Sequence, residues 1–96
     1  NVGSSIPTSV FDIANILINE FGSKSEIEIN HKFRLGDIRH NFADISLIKE
    51  LINDFPKVNI KTGLNIFVNW VNNQPLNKDF SSLANKEMEA KGLMKN

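Results

Sequence analysis

Phe33-Arg34-Leu35-Gly36-Asp37-Ile38-Arg39-His40-Asn41-Phe42-Ala43-Asp44-Ile45-Ser46 is the stretch on which the reading of this chain turns. It gathers two arginines, a histidine and two aspartates around one glycine, then runs into an apolar helical pattern. Arginine presents a rigid fork of donors that suits phosphate oxygens, so Arg34 and Arg39 are candidate anion ligands. Asp37 can accept hydrogen bonds from sugar hydroxyls. Gly36 between them permits a positive φ or a close backbone approach. Taken locally, a solvated Arg34–Asp37 salt bridge explains the same residues, and such surface pairs contribute only about 0–1 kcal/mol. Arg39 is either a second phosphate ligand or the partner of Asp37 or Asp44. His40 either meets substrate or steadies backbone carbonyls. No catalytic residue is assigned, because no general base with a partner is visible.

Working outward, Ser46, Leu47, Ile48, Leu51, Ile52 and Phe55 predict a helix that Pro56 ends, with Asp44 or Ser46 as N-cap. Upstream, Pro7-Thr8-Ser9 opens a helix through Val10, Ala14, Leu17, Ile18 and Phe21. Thr8 or Ser9 caps it, Asp12 completes a capping-box pattern, and Gly22 stops it. Ile13 and Ile16 widen its apolar face, which predicts a well-buried helix. Glu26-Ile27-Glu28-Ile29-Asn30 alternates with period two and predicts a short half-exposed strand. His31 to Asp44 reads as a loop with extended pieces. Val58 and Ile60 suggest another extended stretch before a third helix capped by Thr62, carrying Leu64, Phe67, Val68 and Val71. Ile66 and Trp70 fall toward its second face, and Trp70 and Phe67 are read as core. Asn72-Asn73-Gln74-Pro75 closes this helix. A fourth, from Asp79 through Phe80, Leu83, Ala84 and Met88, ends near Gly92 with a thinner stripe.

Composition narrows the function classes. Ninety-six residues make at most one domain. Eleven basic residues balance eleven acidic ones, which argues against a nucleic-acid binder with its basic stripe. No cysteine occurs, which removes thiolate chemistry and suits a cytoplasmic protein. No apolar run approaches a membrane span. His31 and His40 lack metal-ligand spacing, so no metal site is expected.

The residues also resemble a family. Arg34-x-Gly36-Asp37, Ile38-Arg39-His40, Ala43-Asp44-Ile45-Ser46 and the following helix are similar to the C-terminal part of extended short-chain dehydrogenase/reductases that act on nucleotide sugars. Asn1-Val2-Gly3, the Ser9–Phe21 helix, Gly63-Leu64, Trp70 and the closing Lys91-Gly92-Leu93-Met94 extend the likeness along nearly the whole chain. Asn53-Asp54-Phe55-Pro56 departs from it, since relatives often place Leu-Gly before the proline. The resemblance is nearest to nucleotide-sugar 4-epimerases.

It implies an α/β parent with a Rossmann-type NAD-binding domain, of which residues 1–96 form a mostly helical α+β C-terminal substrate-binding subdomain with short strands. It implies a UDP- or dTDP-linked sugar whose diphosphate meets Arg34 and whose ribose meets Asp37; Gly36, Arg39 and His40 are the further substrate-binding candidates that the residues themselves offer. In the parent, the sugar is oxidised at C4, rotates and is reduced again by tightly held NAD. This chain has no tyrosine and no Gly-rich turn, so it is expected neither to catalyse alone nor to bind NAD. The expected partners are the missing Rossmann domain and, in the isolated chain, a second copy. A free-standing helical protein-interaction module is the rival reading.

Overall fold

The computed structural model describes residues 1–53 and 57–96. Its elements run α1 (Val10–Phe21), β1 (Phe33–Arg34), α2 (Ser46–Leu51), α3 (Ile60–Asn72), α4 (Ser81–Ala90) and β2 (Met94–Lys95). The architecture is mostly helical with one two-stranded ribbon, and it divides into two units. The first holds residues 1–26 and 40–74, the second residues 27–39 and 75–96. No helix among the described residues is long and apolar enough to cross a membrane.

In the first unit α1 packs against α3. Ser9 caps α1, its hydroxyl taking the Asp12 amide hydrogen at 3.0 Å and donating to the Asp12 carboxylate at 2.6 Å. Gly22 ends the helix at φ 59°, a left-handed conformation that glycine adopts without steric cost. The expectation of a well-buried α1 is overturned. None of its residues is fully buried, because only α3 among the described elements covers its broad apolar face.

The third helix starts earlier than its pattern suggests. Asn59, not Thr62, is the N-cap, and its side-chain oxygen accepts the Thr62 amide hydrogen at 2.9 Å. Ile60 is therefore helical rather than extended. Either residue type can cap, and the sequence alone did not place the first turn. Val68 of α3 and Ile45 before α2 form the buried core, each 2% exposed. Phe67 and Trp70 are not core: they stay 48% and 59% exposed, with ring centroids 6.1 Å apart. Their side of α3 is only partly covered.

Ile45 occupies the N-cap position of α2 and offers no side-chain cap. Asp44 acts from one residue further out, accepting from the Ser46 amide at 3.0 Å and the Ser46 hydroxyl at 2.6 Å. The helix stops at Leu51, with Ile52 an extended C-cap at φ −129° and ψ 103°, so the expected helix through Ile52 to Phe55 is cut short; Phe55 and Pro56 themselves lie outside the described residues. In the second unit, Glu26–Asn30 carries no strand. The ladder forms instead between β1 and β2, antiparallel, pairing Phe33 with Lys95 and Arg34 with Met94. A period-two pattern makes a strand only where a partner edge is present, and the chain offers that edge to Phe33–Arg34.

Candidate functional site

The chain enters the site through β1 and leaves it through a tight turn. The Asp37 amide donates to the Arg34 carbonyl at 3.2 Å, closing Arg34-Leu35-Gly36-Asp37. Gly36 sits at its third position with φ 90°, the sign that a type II turn reserves for glycine. Nothing lies within 4 Å of a Cβ built there, so Gly36 serves backbone conformation rather than close approach. The Asp37 carboxylate reaches back to the Arg34 amide at 3.4 Å. Beyond the ladder, the Leu35 amide donates to the Leu93 carbonyl at 2.9 Å. The turn is thereby tied to the chain leaving α4.

That segment is itself fixed by a helix stop. The Leu93 amide donates to the Met88 carbonyl at 2.8 Å and the Gly92 amide to the Glu89 carbonyl at 3.0 Å, with Gly92 at φ 67°. The start of α4 is anchored by Asp79, whose carboxylate accepts the Ser81 amide at 2.8 Å. The backbone N–H of Ser81, helped by its hydroxyl, holds the Asp79 carboxyl below its ordinary range.

An open pocket of about 330 Å³ results. Lys32, Arg34 and Asp37 line it from the β1 segment, and Asn85 and Glu89 from α4. This volume is at the small end for ligand sites, which run to roughly 300–1,000 Å³. Lys32 pairs with Glu89 at 2.5 Å. Among the described residues no ion pair joins Arg34 to Asp37, so the solvated salt-bridge explanation of that pair does not describe this structure. The guanidinium keeps its donors, while the carboxylate closes the turn through the backbone.

The structure thus brings Arg34, Gly36 and Asp37 together. Arg39 is not among the residues that line the pocket and makes no ion pair with Asp37 among the described residues, and His40 belongs to the first unit. Lys32, Asn85 and Glu89 were missed. Lys32 stands two residues before Arg34, the spacing that puts two side chains on one face of an extended chain. Asn85 and Glu89 are four apart on α4, again one face. Both signals were legible; which helix would meet the turn was not. Asp44 and Ser46 belong to the fold of the first unit, where the Ser46 hydroxyl and then its amide keep the Asp44 carboxyl below its usual range. A second, larger pocket of about 560 Å³ lies in the first unit beside Ile6, Lys49 and Asn59, without a sequence signal that would have found it.

No protein-family profile matches the chain, and no solved structure does. Curated proteins do. A UDP-glucuronate 4-epimerase of Thermodesulfobacterium geofontis is 37% identical over 68 residues, 71% of this chain and 21% of the relative. A dTDP-L-rhamnose 4-epimerase of Burkholderia thailandensis is 30% identical over 71 residues, 74% of this chain and 19% of the relative. The chain is related to the nucleotide-sugar 4-epimerases. UDP-glucuronate 4-epimerase 4 of Arabidopsis thaliana agrees, 31% identical over 70 residues, 73% of this chain and 16% of the relative. The chain spans about a fifth of the length of these 4-epimerases.

Proposed function

We propose that this chain grips the nucleotide end of a nucleotide sugar, as the substrate-binding portion of an NAD-dependent 4-epimerase. The observation that carries the proposal is the Arg34–Asp37 turn. It presents a guanidinium with no ion-pair partner among the described residues at a polar pocket, in a chain related to enzymes named for UDP- and dTDP-linked sugars. Arg34 takes the diphosphate and Asp37 a ribose hydroxyl, through the carboxylate capacity left beside its long bond to the Arg34 amide. Grip at the diphosphate leaves the sugar free to turn.

NAD supplies the oxidation and re-reduction of the sugar in this proposal, and the residues described here do not fit it. They include no tyrosine and no glycine-rich strand–helix turn. Cofactor and proton transfer therefore belong to residues outside this sequence, and the role of these 96 residues is recognition.

Calorimetric titration with UDP and dTDP, against sulfate and chloride, tests the proposal. Selective nucleotide diphosphate binding is expected. Losing a charge-assisted fork in Arg34→Ala removes about 1.5–3 kcal/mol, roughly ten- to a hundredfold in affinity. Unchanged affinity in that variant ends the phosphate role of Arg34. The rival reading, a helical module that docks a protein partner, draws on the exposed Phe67, Trp70 and Ile66 of α3. It predicts no preference for nucleotide over sulfate.

A further inference from the structure

The pocket holds a cation that the Arg34 motif does not include, and it is already engaged. Lys32 and Arg34 reach the pocket from alternate positions of one extended segment. Lys32 spends its charge on Glu89, which stands in the last turn of α4, a turn that holds no basic residue. A carboxylate there faces the negative end of the helix dipole and is locally unfavourable. Lys32 offsets that penalty. The two side chains remain 39% and 45% exposed, so the pair is open to solvent and exchangeable.

We propose that Lys32 is a second phosphate ligand held in reserve by Glu89, and that diphosphate binding transfers Lys32 from the carboxylate to the anion. The inference rests on the nucleotide-diphosphate reading above and adds the residues that tune it. With Lys32 paired to Glu89, the pocket's two cations are matched by the carboxylates of Asp37 and Glu89, so a weak monovalent anion gains little by entering. A diphosphate carries enough charge to compete for Lys32. Arg34 then takes one phosphate and Lys32 the other, while Glu89 is released to solvent. Glu89 acts as an intramolecular competitor, which lowers affinity and raises the charge a ligand needs.

The experiment is a calorimetric titration of UDP, with uridine alongside it, on the protein at its natural full length. Lys32→Ala should weaken UDP about fivefold and leave uridine unchanged, and Lys32→Arg should restore most of the loss. Glu89→Gln should tighten UDP about threefold, the value of releasing one exposed ion pair. In a Lys32→Ala background Glu89→Gln should do nothing. Glu87→Gln, the same charge change on the same helix without the Lys32 contact, should also do nothing. Tightening by Glu89→Gln that persists without Lys32, or that Glu87→Gln matches, is a field effect and overturns the exchange. If Arg34→Ala loses UDP while Lys32→Ala keeps it, the inference falls and the diphosphate reading stands. If the unmodified protein binds no UDP, both fall.

Discussion

Gly3→Ala is the substitution whose cost the structure fixes most closely. A Cβ at Gly3 would lie 3.0 Å from the Cβ of Ala43, whereas carbon atoms settle at roughly 3.5–4.0 Å. Ala43 has no rotamer with which to withdraw, so relief requires backbone movement. That backbone is held, because the next residues are Asp44, bonded twice to Ser46, and buried Ile45. Overpacking of this kind costs about 1–3 kcal/mol. Gly3 has no positive φ, so alanine fits its backbone and returns about 0.4–1 kcal/mol through the unfolded chain. The net expectation is a loss of about 0.5–2 kcal/mol. Ala43→Gly alone should cost about 0.4–1 kcal/mol by the same entropy argument. The double variant exchanges one glycine for another and removes the clash, so it should return close to the parent. Urea unfolding followed by circular dichroism reads all four proteins, compared by midpoint at constant slope. Additive effects, with no coupling above about 0.5 kcal/mol, would refute the reasoning. So would a Gly3→Ala protein as stable as the parent.

Three further outcomes are expected. Asn59→Ala should lower stability by about 1 kcal/mol while Thr62→Ala changes it by less than about 0.5 kcal/mol, read by thermal melting; the reverse order would restore Thr62 as the cap. The Asp44 and Asp79 carboxyls are depressed in the folded state, so what they contribute is present above the unfolded value of about 4 and is lost as pH falls through their lower folded values. A carbon-detected NMR titration should show Asp44 titrating below that value and moving up in Ser46→Ala, where the larger of its two hydrogen-bond causes is gone. The chain alone should self-associate through exposed apolar side chains, and Trp70→Lys should reduce this without loss of helicity; a strictly monomeric sedimentation profile at every concentration would count against it.

What the sequence made legible was local. The Ser9 cap, the Gly22 stop, the Asp44–Ser46 turn and the positive φ of Gly36 each depend on residues within four positions of one another. What it hid was long-range or depended on what lies beside an element. The β1–β2 ribbon joins two-residue strands from distant parts of the chain, too short to show alternation. Glu26–Asn30 shows alternation and finds no partner. Half of the pocket follows from that ribbon: pairing Arg34 with Met94 is what brings Asn85 and Glu89 of α4 to the Arg34 turn. A motif names the residues of one wall, and the opposite wall is a matter of tertiary structure.

The misreading of Phe67 and Trp70 follows from the same limit and bears on the proposal. Aromatic residues on an amphipathic helix predict burial, but not the element that buries them. The chain exposes 8608 Å² in all. Two separate compact pieces with its combined mass of 10.8 kDa would expose only roughly 6,600 Å². The difference of about 2,000 Å² exceeds the roughly 800 Å² that each partner contributes to a standard interface. Among the described apolar residues only Ile45 and Val68 are buried, a small core beside the apolar surface left open. Such a surface suits helices that rest on a larger body, in keeping with a proposal that places cofactor and chemistry outside these residues. The same surface would serve a docking module, so nucleotide selectivity, not exposed area, is what separates the two readings.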